Sequence, residues 1–436
     1  MAKGDLHVIN AKLPLGGDAD SWHELIAEGG CWKRIIAHPQ RLSLDDAVSI
    51  RDRRSLEQGA PGRLPAIVDL EGRIALPGFV DMHMHLDKAL TLDQVGNSSG
   101  TLLEAIANYS GKAGEFSKAN IRERMVRTAL MGLRHGTTAM RTHLDMPAHL
   151  GREVLYRTIE AALEAREELK GRVKLQLFPM LSFARDPEGA KRLSTELIGL
   201  GMDGIGGCPH LMEDPSLDVK LLFKQAEKLG VPVDLHVDET DNPSMRTIET
   251  ICHATIAAGY EGKVTAGHLC SLSSMPKDEA RLIIELMAQA KVGAVTLPAV
   301  NLYLQGRGDE GPVRRGVTRV KEMLEDGVEV AAASDNIQDP FHPFGRGDLL
   351  HIGAIAAYAA HMGAASDAER ILDMITQTPA ALMGLREYGM RQNHQADIVV
   401  LDATTPEQLL LEESPSRWVA VNGTWASAHV REVWLD

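Results

Sequence analysis

Short apolar, β-branched runs alternate with longer amphipathic segments through most of the chain. Such runs have the composition of parallel strands that are buried on both faces. Apolar residues between them recur at helical spacing, as in SLDVKLLFKQAEKLG at 216–230 and RRGVTRVKEMLEDG at 314–327. Eight predicted strands of this kind lie at 78–85, 136–145, 172–180, 202–209, 231–239, 263–268, 291–298 and 328–335.

Alternating strands and helices predict an α/β fold, and eight such units favour a (β/α)8 TIM-type barrel. An open, doubly wound sheet is the competing fold, and it should carry a glycine-rich nucleotide loop after an early strand. No GxGxxG motif follows any of the eight runs. We therefore predict a barrel that forms the catalytic domain over residues 78–387.

The two ends of the chain differ from the middle, because short strand-like pieces are separated there by polar turns. They are DLHVINAKL, CWKRIIAH and PAIVDLEG near the start, and ADIVVLDA, RWVAVNGTWAS and HVREVWL near the end. The Asn-Gly pair of RWVAVNGTWAS is typical of a tight hairpin turn. Residues 1–77 and 388–436 are therefore predicted to form a β-rich accessory domain.

Composition narrows the classes of partner. The chain has 436 residues, 44% hydrophobic and 24% charged, with a formal net charge of −14 and no dense Lys/Arg stripe. We expect no nucleic-acid partner and no membrane association, since apolar stretches such as 353–361 are too short to span a bilayer. No signal peptide is evident at the start, and the four cysteines include no CxxC pair. These features indicate a cytoplasmic protein with a small-molecule substrate.

Candidate chemistry lies at the ends of the predicted strands, where the catalytic side chains of a (β/α)8 barrel gather. Polar residues that can bind a metal or move a proton follow most of the apolar runs. They are His83, His85, His143, Asp145, Gln176, His210, His236, Glu239, His268 and Asp335.

His83 and His85 lie two residues apart, so on a strand both imidazoles point to the same face. Alone, the pair fits hydrogen-bonded strand histidines as well as metal ligands. His236 supplies a third imidazole, and Asp335 supplies a carboxylate whose burial without a partner would be unfavourable. A single divalent ion held by these four residues, with one position open for water, satisfies all of them.

Such an ion would lower the pKa of a bound water molecule to about 7. Glu239 is then a candidate to carry a proton to a ring nitrogen of the substrate, although a solvated loop acid is the alternative. His268 is a candidate to polarise the reacting centre, with a hydrogen-bonded core histidine as the alternative. Asp335 is both a ligand and a candidate proton acceptor. The fourth run, MDGIGGCP, contains no lysine that could bridge a second metal, so one ion is predicted.

Together these motifs resemble the amidohydrolase superfamily, and more narrowly its cytosine-deaminase branch. The resemblance rests on PGFVDMHMHLDK at the first strand, His236-x-x-Glu239, AGH at 266–268 and SD at 334–335, and it extends through SGTLLEAI, MRTHLD, LQLFP, CPH and VNLYLQGR. The terminal ADIVVLDA and VAVNG resemble the β-sandwich that flanks the barrel in this superfamily.

The resemblance implies one zinc or iron ion on His83, His85, His236 and Asp335. It further implies Glu239 as the proton shuttle, His268 beside the attacking hydroxide, and Leu102 in contact with the substrate through its backbone. The implied reaction is addition of hydroxide to a ring carbon followed by loss of ammonia. Relatives of this kind assemble as homo-oligomers, so self-association is expected.

Three positions depart from the cytosine-deaminase branch and bear on the substrate. Met180 stands where that branch has a glutamine, and a thioether cannot donate a hydrogen bond and accepts one only weakly. Asn336 and Phe341 replace an aspartate and a tryptophan. The segment SDNIQDPFHPFGRGD (334–348) and the residues HLDK (85–88) are closer to N-isopropylammelide isopropylaminohydrolase. These departures argue against cytosine as the substrate.

The leading hypothesis is therefore a hydrolytic deaminase of an amino-substituted N-heterocycle: a pyrimidine, pterin, purine-like ring or triazine. Hydrolysis of a cyclic amide, or loss of a substituted amine from a ring, is the enzymatic alternative. A non-catalytic barrel used for binding or assembly is the third hypothesis, and the four retained candidate ligands argue against it. The RGD sequence at 346–348 is not expected to mediate adhesion, because it lies beside the candidate metal strand.

Overall fold

A computed structural model of the protein describes residues 4–15, 20–52, 67–411 and 415–432. The remaining residues of the predicted segments 1–77 and 388–436 lie outside the described residues, including the first residues of PAIVDLEG and the last of HVREVWL. The strands near the two chain ends are β1 Leu6–Ala11, β2 Trp22–Glu28, β3 Cys31–His38, β4 Ala47–Ser49, β5 Ile67–Asp69, β6 Ile74–Leu76, β15 Ile398–Leu401, β16 Arg417–Val421 and β17 Thr424–His429.

The middle of the chain contains eight parallel strands, and each lies within one of the predicted runs. They are β7 Phe79–Met84, β8 Thr137–Leu144, β9 Lys174–Pro179, β10 Ile205–Gly207, β11 Val233–Val237, β12 Val264–His268, β13 Gly293–Thr296 and β14 Val330–Ala332. β7 to β9 form one parallel sheet in chain order, and β10 to β14 form another. The prediction of an α/β fold with parallel sheets is confirmed.

Two parallel bridges connect these sheets, Met180 with Gly206 and Met84 with Asp335. The first joins β9 to β10, and the second joins the end of β7 to the segment after β14. Each of the eight strands therefore has a parallel neighbour on both sides. The carboxyl ends of all eight strands consequently lie at the same edge of the assembly.

Helices follow most of these strands. They are α1 Leu102–Lys112, α2 Lys118–Arg134, α3 Arg152–Leu169, α4 Pro187–Gly199, α5 Pro215–Leu229, α6 Thr247–Ala258, α7 Ser271–Ser274, α8 Lys277–Ala290, α9 Pro298–Leu304, α10 Val320–Glu325, α11 Leu349–Ala359, α12 Ala365–Met374, α13 Gln377–Leu382 and α14 Pro406–Leu411. Among the described residues, none of these helices has the length and apolar character needed to cross a membrane.

The predicted helix over 314–327 is wrong in its first half, since α10 covers only residues 320–325. Gly316 has φ +65°, a left-handed conformation that does not continue a right-handed helix. Arg314, which lies outside the helix, donates three side-chain hydrogen bonds to the carboxylate of Asp309. By contrast, α5 coincides with the predicted helix at 216–230 within one residue at each end.

β11 shows how the strands divide their side chains between two environments. Val233, Leu235 and Val237 belong to the large apolar core that also contains the buried helix residues. Because side chains alternate along a strand, Asp234 and His236 point to the opposite face. There Asp234 accepts a hydrogen bond from Arg141 at 2.6 Å, and His236 approaches His83.

The strands near the chain ends form two further sheets. One has the order β3-β2-β1-β5-β4, and the other has the order β17-β16-β15-β6. A single apolar cluster contains residues from both, including Val8 and Trp32 from the first sheet and Val400 and Trp418 from the second. The beginning and the end of the chain therefore pack against each other.

Arg417 links this terminal unit to the eight parallel strands and their helices. Its guanidinium is fully buried, donates to both carboxylate oxygens of Asp348 at 2.9 and 3.1 Å, and donates to the backbone oxygen of His135 at 2.9 Å. Asp348 also caps α11 through the backbone N–H of Leu350. The aspartate of the RGD sequence is thus buried in an ion pair.

Replacing Arg417 with methionine should lower the free energy of unfolding by about 3–5 kcal/mol, because the carboxylate of Asp348 would remain buried without its partner. Arg346→Met is the matched control, since Arg346 belongs to the same RGD sequence but is exposed. That control should change stability by less than about 0.5 kcal/mol. Chemical denaturation measures both, and equal effects of the two substitutions would contradict the structural role of the pair.

Candidate active site

The predicted metal ligands lie at the carboxyl edge of the parallel strands. His83 is in β7, His85 directly follows it, and His236 is in β11. Asp335 follows β14, and its backbone N–H donates to the backbone oxygen of His83 at 2.9 Å. All four side chains are buried. The fold therefore brings together residues that are up to 252 positions apart, since they range from 83 to 335.

The four side chains converge on one point. The Nε2 atom of His236 lies 3.2 Å from Nε2 of His83 and 3.0 Å from Nε2 of His85. Oδ1 of Asp335 lies 3.4 Å from Nε2 of His85 and 3.9 Å from Nε2 of His83. Three imidazole nitrogens and one carboxylate oxygen thus face one another at distances that a cation between them would bridge.

The protonation chemistry of these groups fits a cation. Burial, together with neighbouring histidines, lowers the pKa of His83 and of His236 well below the ordinary value, so their imidazoles are in the neutral, ligating form. Burial and the nearby Glu239 raise the pKa of Asp335. Both oxygens of Asp335 are buried without a hydrogen-bond partner among the described residues. A divalent ion would supply the positive charge that a buried carboxylate needs.

The backbone is unusual at two of the strand ends. Asp335 has φ +57° and His268 has φ +70°, in the left-handed region that non-glycine residues occupy at a cost of about 1–2 kcal/mol. β14 ends at Ala332, earlier than the predicted 335, and Asp335 adopts this conformation three residues beyond the strand. Strain of this kind is typical of residues that a surrounding structure holds in place for function.

Gly267 makes room for His83. A Cβ atom on Gly267 would lie 2.9 Å from Cε1 and 3.0 Å from Nδ1 of the His83 imidazole. These distances are too short for a Cβ contact, so any larger residue would displace the ring. Steric contact with His83 therefore explains why a glycine is needed in the AGH sequence. The spacing of the histidines alone did not predict this requirement.

His268 and Glu239 lie beside the four converging residues. Oε1 of Glu239 is 3.5 Å from Nδ1 of His268, and the side-chain nitrogen of Asn301 donates to the same Nδ1 at 3.0 Å. This hydrogen bond places the proton of the neutral imidazole on Nε2. Burial raises the pKa of Glu239 to about 8, with a smaller opposing effect of Lys88. Glu239 can therefore hold a proton at neutral pH.

A cavity of about 290 Å³ opens from these residues. Its wall includes the four predicted substrate-binding residues, Leu102, Met180, Asn336 and Phe341. The amide nitrogen of Asn336 donates to Asp339 at 2.7 Å, so that group is engaged within the chain. Gln176, at the end of the same run as Met180, does not line this cavity, because its amide bonds Arg141 and the backbone of Met383.

Lys88 is a residue of the cavity wall that the sequence analysis did not assign. Its ammonium is buried, lies 3.2 Å from Oδ1 of Asp145, and stands 4.7 Å from the centre of the Phe341 ring. Burial alone would lower the pKa of Lys88, but the carboxylates of Asp145 and Asp87 outweigh that effect and raise it. The cavity wall therefore carries a positive charge at Lys88. In the sequence, only the HLDK motif at 85–88 pointed to this residue.

Two further groups of candidate ligands share His83, and one of them combines it with His236 and His268. The other lies deeper. Ligand atoms of His83, His143 and Asp234 lie within 4.8 Å of one another. Asp234, however, is already paired with the fully buried guanidinium of Arg141 at 2.6 Å. That positive charge takes the place that a second cation would need. The single-metal prediction remains the one that the charges favour.

Gly267→Ala should weaken the binding of zinc by about 10- to 100-fold, because a displaced His83 loses its orientation toward the other ligands. Gly111→Ala is the matched control, since a Cβ atom at Gly111 in α1 meets no atom within 4 Å. Metal content after dialysis against graded zinc buffers provides the measurement. Retention of wild-type affinity by Gly267→Ala would show that the His83 ring tolerates the shift.

The chain is similar to several known proteins. The sequence model of the amidohydrolase family matches residues 66–150 and 134–436. The pterin deaminase of Rhizobium rhizogenes is 34% identical over 84% of this chain and 83% of its own length. The N-isopropylammelide isopropyl amidohydrolase of Pseudomonas sp. strain ADP is 27% identical, and the match covers 84% of this chain and 89% of that protein.

A crystal structure of 5-methylcytosine deaminase from Klebsiella pneumoniae, liganded with 5-fluorocytosine, has a TM-score of 0.87 and 28% identity, and the match covers 99% of each chain. The family match spans most of this chain, and the predicted resemblance to cytosine-deaminase-like and ammelide-hydrolase-like proteins is confirmed. This protein belongs to the amidohydrolase family.

Proposed function

We propose that the protein is a metal-dependent hydrolytic deaminase of an amino-substituted N-heterocycle. The observation that carries this proposal is the cavity in which buried Glu239 stands beside His268 and the four converging residues. A carboxylic acid with a pKa raised to about 8 suits transfer of a proton to a ring nitrogen at neutral pH. The named substrates of the relatives, a pterin, an ammelide and a methylated cytosine, are all nitrogen heterocycles.

A zinc or iron ion on His83, His85, His236 and Asp335 would supply a Lewis acid and lower the pKa of water. Glu239 would give its proton to the ring nitrogen next to the reacting carbon, take up a second proton from the oxygen that adds to this carbon, and give that second proton to the departing amine. His268, fixed by Asn301 at Nδ1, would donate from Nε2 toward the oxygen that adds to that carbon. The buried walls would exclude bulk water and strengthen these interactions.

Lys88 and Met180 bear on the choice of ring. The ammonium of Lys88 can donate to a carbonyl or to an unprotonated ring nitrogen, while the thioether of Met180 offers only weak acceptance. Asp145, at 3.2 Å from Lys88, can accept from a ring N–H. These groups support a substrate whose polar edge faces the Lys88–Asp145 pair. They do not favour cytosine.

Loss of a substituted amine is the second candidate reaction. It is favoured by the similarity to the N-isopropylammelide enzyme, which includes the segment around Asn336 and Phe341. The same proton on Glu239 would serve an alkylamine leaving group. The two reactions differ in the released product, which is ammonia in one case and an alkylamine in the other.

We also interpret the architecture in the terms of this family. The eight parallel strands, each with two parallel neighbours, support a TIM-type barrel over the predicted residues 78–387. The two terminal sheets with their common apolar cluster support a small β-sandwich built from both chain ends.

The test of the proposed function is release of ammonia or alkylamine from a panel of amino-substituted pyrimidines, pterins, purines and triazines by zinc- or iron-loaded protein. We expect at least one ring class to be hydrolysed, and His236→Ala and Asp335→Ala to abolish the activity. His253→Ala, an exposed histidine of α6, is the control and should keep full activity. Fully metal-loaded protein that releases no amine from any class would refute the proposal.

Glu239→Gln should reduce kcat by about 100- to 10,000-fold, because the amide keeps the shape of the side chain but cannot transfer a proton. Metal content should remain that of the wild type, since Glu239 is not among the proposed ligands. Steady-state kinetics and metal analysis of the same preparation test both parts. A variant that loses its metal together with its activity would instead place Glu239 in the metal site.

A further inference from the structure

The cavity extends well beyond the groups that the proposed reaction needs. Leu102, Ile106, Tyr109 and Ala113 all line it, at intervals of four, three and four residues. Such spacing puts the first three on one face of α1, and Ala113 caps that helix at its end. At a rise of 1.5 Å per residue, this wall is about 16 Å long. That is considerably longer than a single six-membered ring.

Apolar side chains continue the cavity behind this helix face. Phe116 and Ile121 are buried and line the same cavity, and the rings of Phe116 and Tyr109 are stacked with centroids 6.0 Å apart. Met146 contributes from the loop after β8. We call this part of the cavity the apolar annex, formed by Ile106, Tyr109, Ala113, Phe116, Ile121 and Met146.

Lys88 marks the limit between the annex and the proposed reaction centre. Its ammonium lies 5.9 Å from the centre of the Tyr109 ring and 3.2 Å from Asp145. The cavity thus has an ionised and metal-binding end and an apolar end, with the Lys88–Asp145 pair between them.

The annex offers little to a second polar ring. Ser110 and Thr158 add uncharged hydroxyl groups to the cavity wall, and the Tyr109 hydroxyl already donates to the backbone oxygen of Asp87 at 3.3 Å. His149 and Arg185 also line the cavity, but both are exposed to solvent. The nitrogens and carbonyls of a fused polar ring would be buried there with few partners, which is unfavourable. An alkyl or aryl group, by contrast, gains from leaving water for such surroundings. The flexible side chain of Met146 can adapt to groups of varied shape, and the aromatic rings offer large apolar surfaces.

We propose that the substrate carries an apolar substituent, alkyl or aryl, which occupies the annex while its amino-substituted ring faces Glu239 and His268. This inference rests on the proposed function and specifies its substrate class. The substituent is on the part of the ring remote from the carbon that loses the amine. It therefore stays on the product and is distinct from an alkylamine leaving group.

The experiment compares ring amines in matched pairs, a parent aminopyrimidine or aminotriazine and the same ring with a propyl or phenyl group remote from the amino carbon. For wild-type protein we expect kcat/KM to be at least about 10-fold higher for the substituted member, in line with the gain from one or more methylenes in an apolar pocket. Ile106→Trp fills the annex and should remove this preference. Leu103→Trp is the matched control, because Leu103 lies on the same helix but is 72% exposed, and it should keep both the activity and the preference.

Equilibrium binding of the same pairs to zinc-loaded protein separates this inference from the proposed function. If no ring is hydrolysed, the proposed function fails, yet tighter binding of substituted rings that Ile106→Trp removes would still support the annex. Equal kcat/KM and equal Kd within every pair would overturn the inference, even if ammonia is released. A bicyclic amine without an apolar group that gains as much as the substituted ring would overturn it as well. Ala113→Leu, a smaller obstruction, provides the same comparison if Ile106→Trp does not fold.

Discussion

The carboxylate of Asp335 is buried among imidazoles, and much of the surrounding structure follows from the need to hold it there. Its backbone is turned into the left-handed region, and its N–H is tied to the strand that carries His83. Gly267 leaves the space in which the His83 ring stands. Negative charge, neutral nitrogen ligands and exclusion of water occur together, and only positive charge makes that combination favourable.

The sequence predicted the parts of this arrangement that depend on local pattern. All eight parallel strands lie within the predicted runs, because strands covered on both faces are continuously apolar. His83, His85, His236 and Asp335 could be named because each stands at the end of such a run. What remained hidden depends on contacts between distant segments, such as Asn301 on His268. The start of α10 was misplaced because a single left-handed glycine, Gly316, outweighed a helical pattern.

Two kinds of secondary-structure element line the cavity, and each contributes a different kind of side chain. The strand ends carry the groups proposed to transfer protons and bind the metal, whereas α1 provides an apolar wall and none of the proposed metal ligands. A helix that contacts the substrate without contacting the reaction centre can change its side chains at little cost to the chemistry. Lys88 lies between the apolar annex and the proposed reaction centre, where its ammonium is near both the Tyr109 ring and Asp145.

The way in which the terminal unit is assembled has a consequence for synthesis on the ribosome. Arg51 pairs with Asp402, 351 positions later, and β6 forms its antiparallel pairing with β15. The carboxylate of Asp348 likewise gains its ion-pair partner only after Arg417 has been synthesised. The apolar faces of β1 to β5 therefore emerge long before the sheet that covers them, and during that interval they are available to chaperones or to other nascent chains. The terminal unit can therefore form only after β15 to β17 have been synthesised.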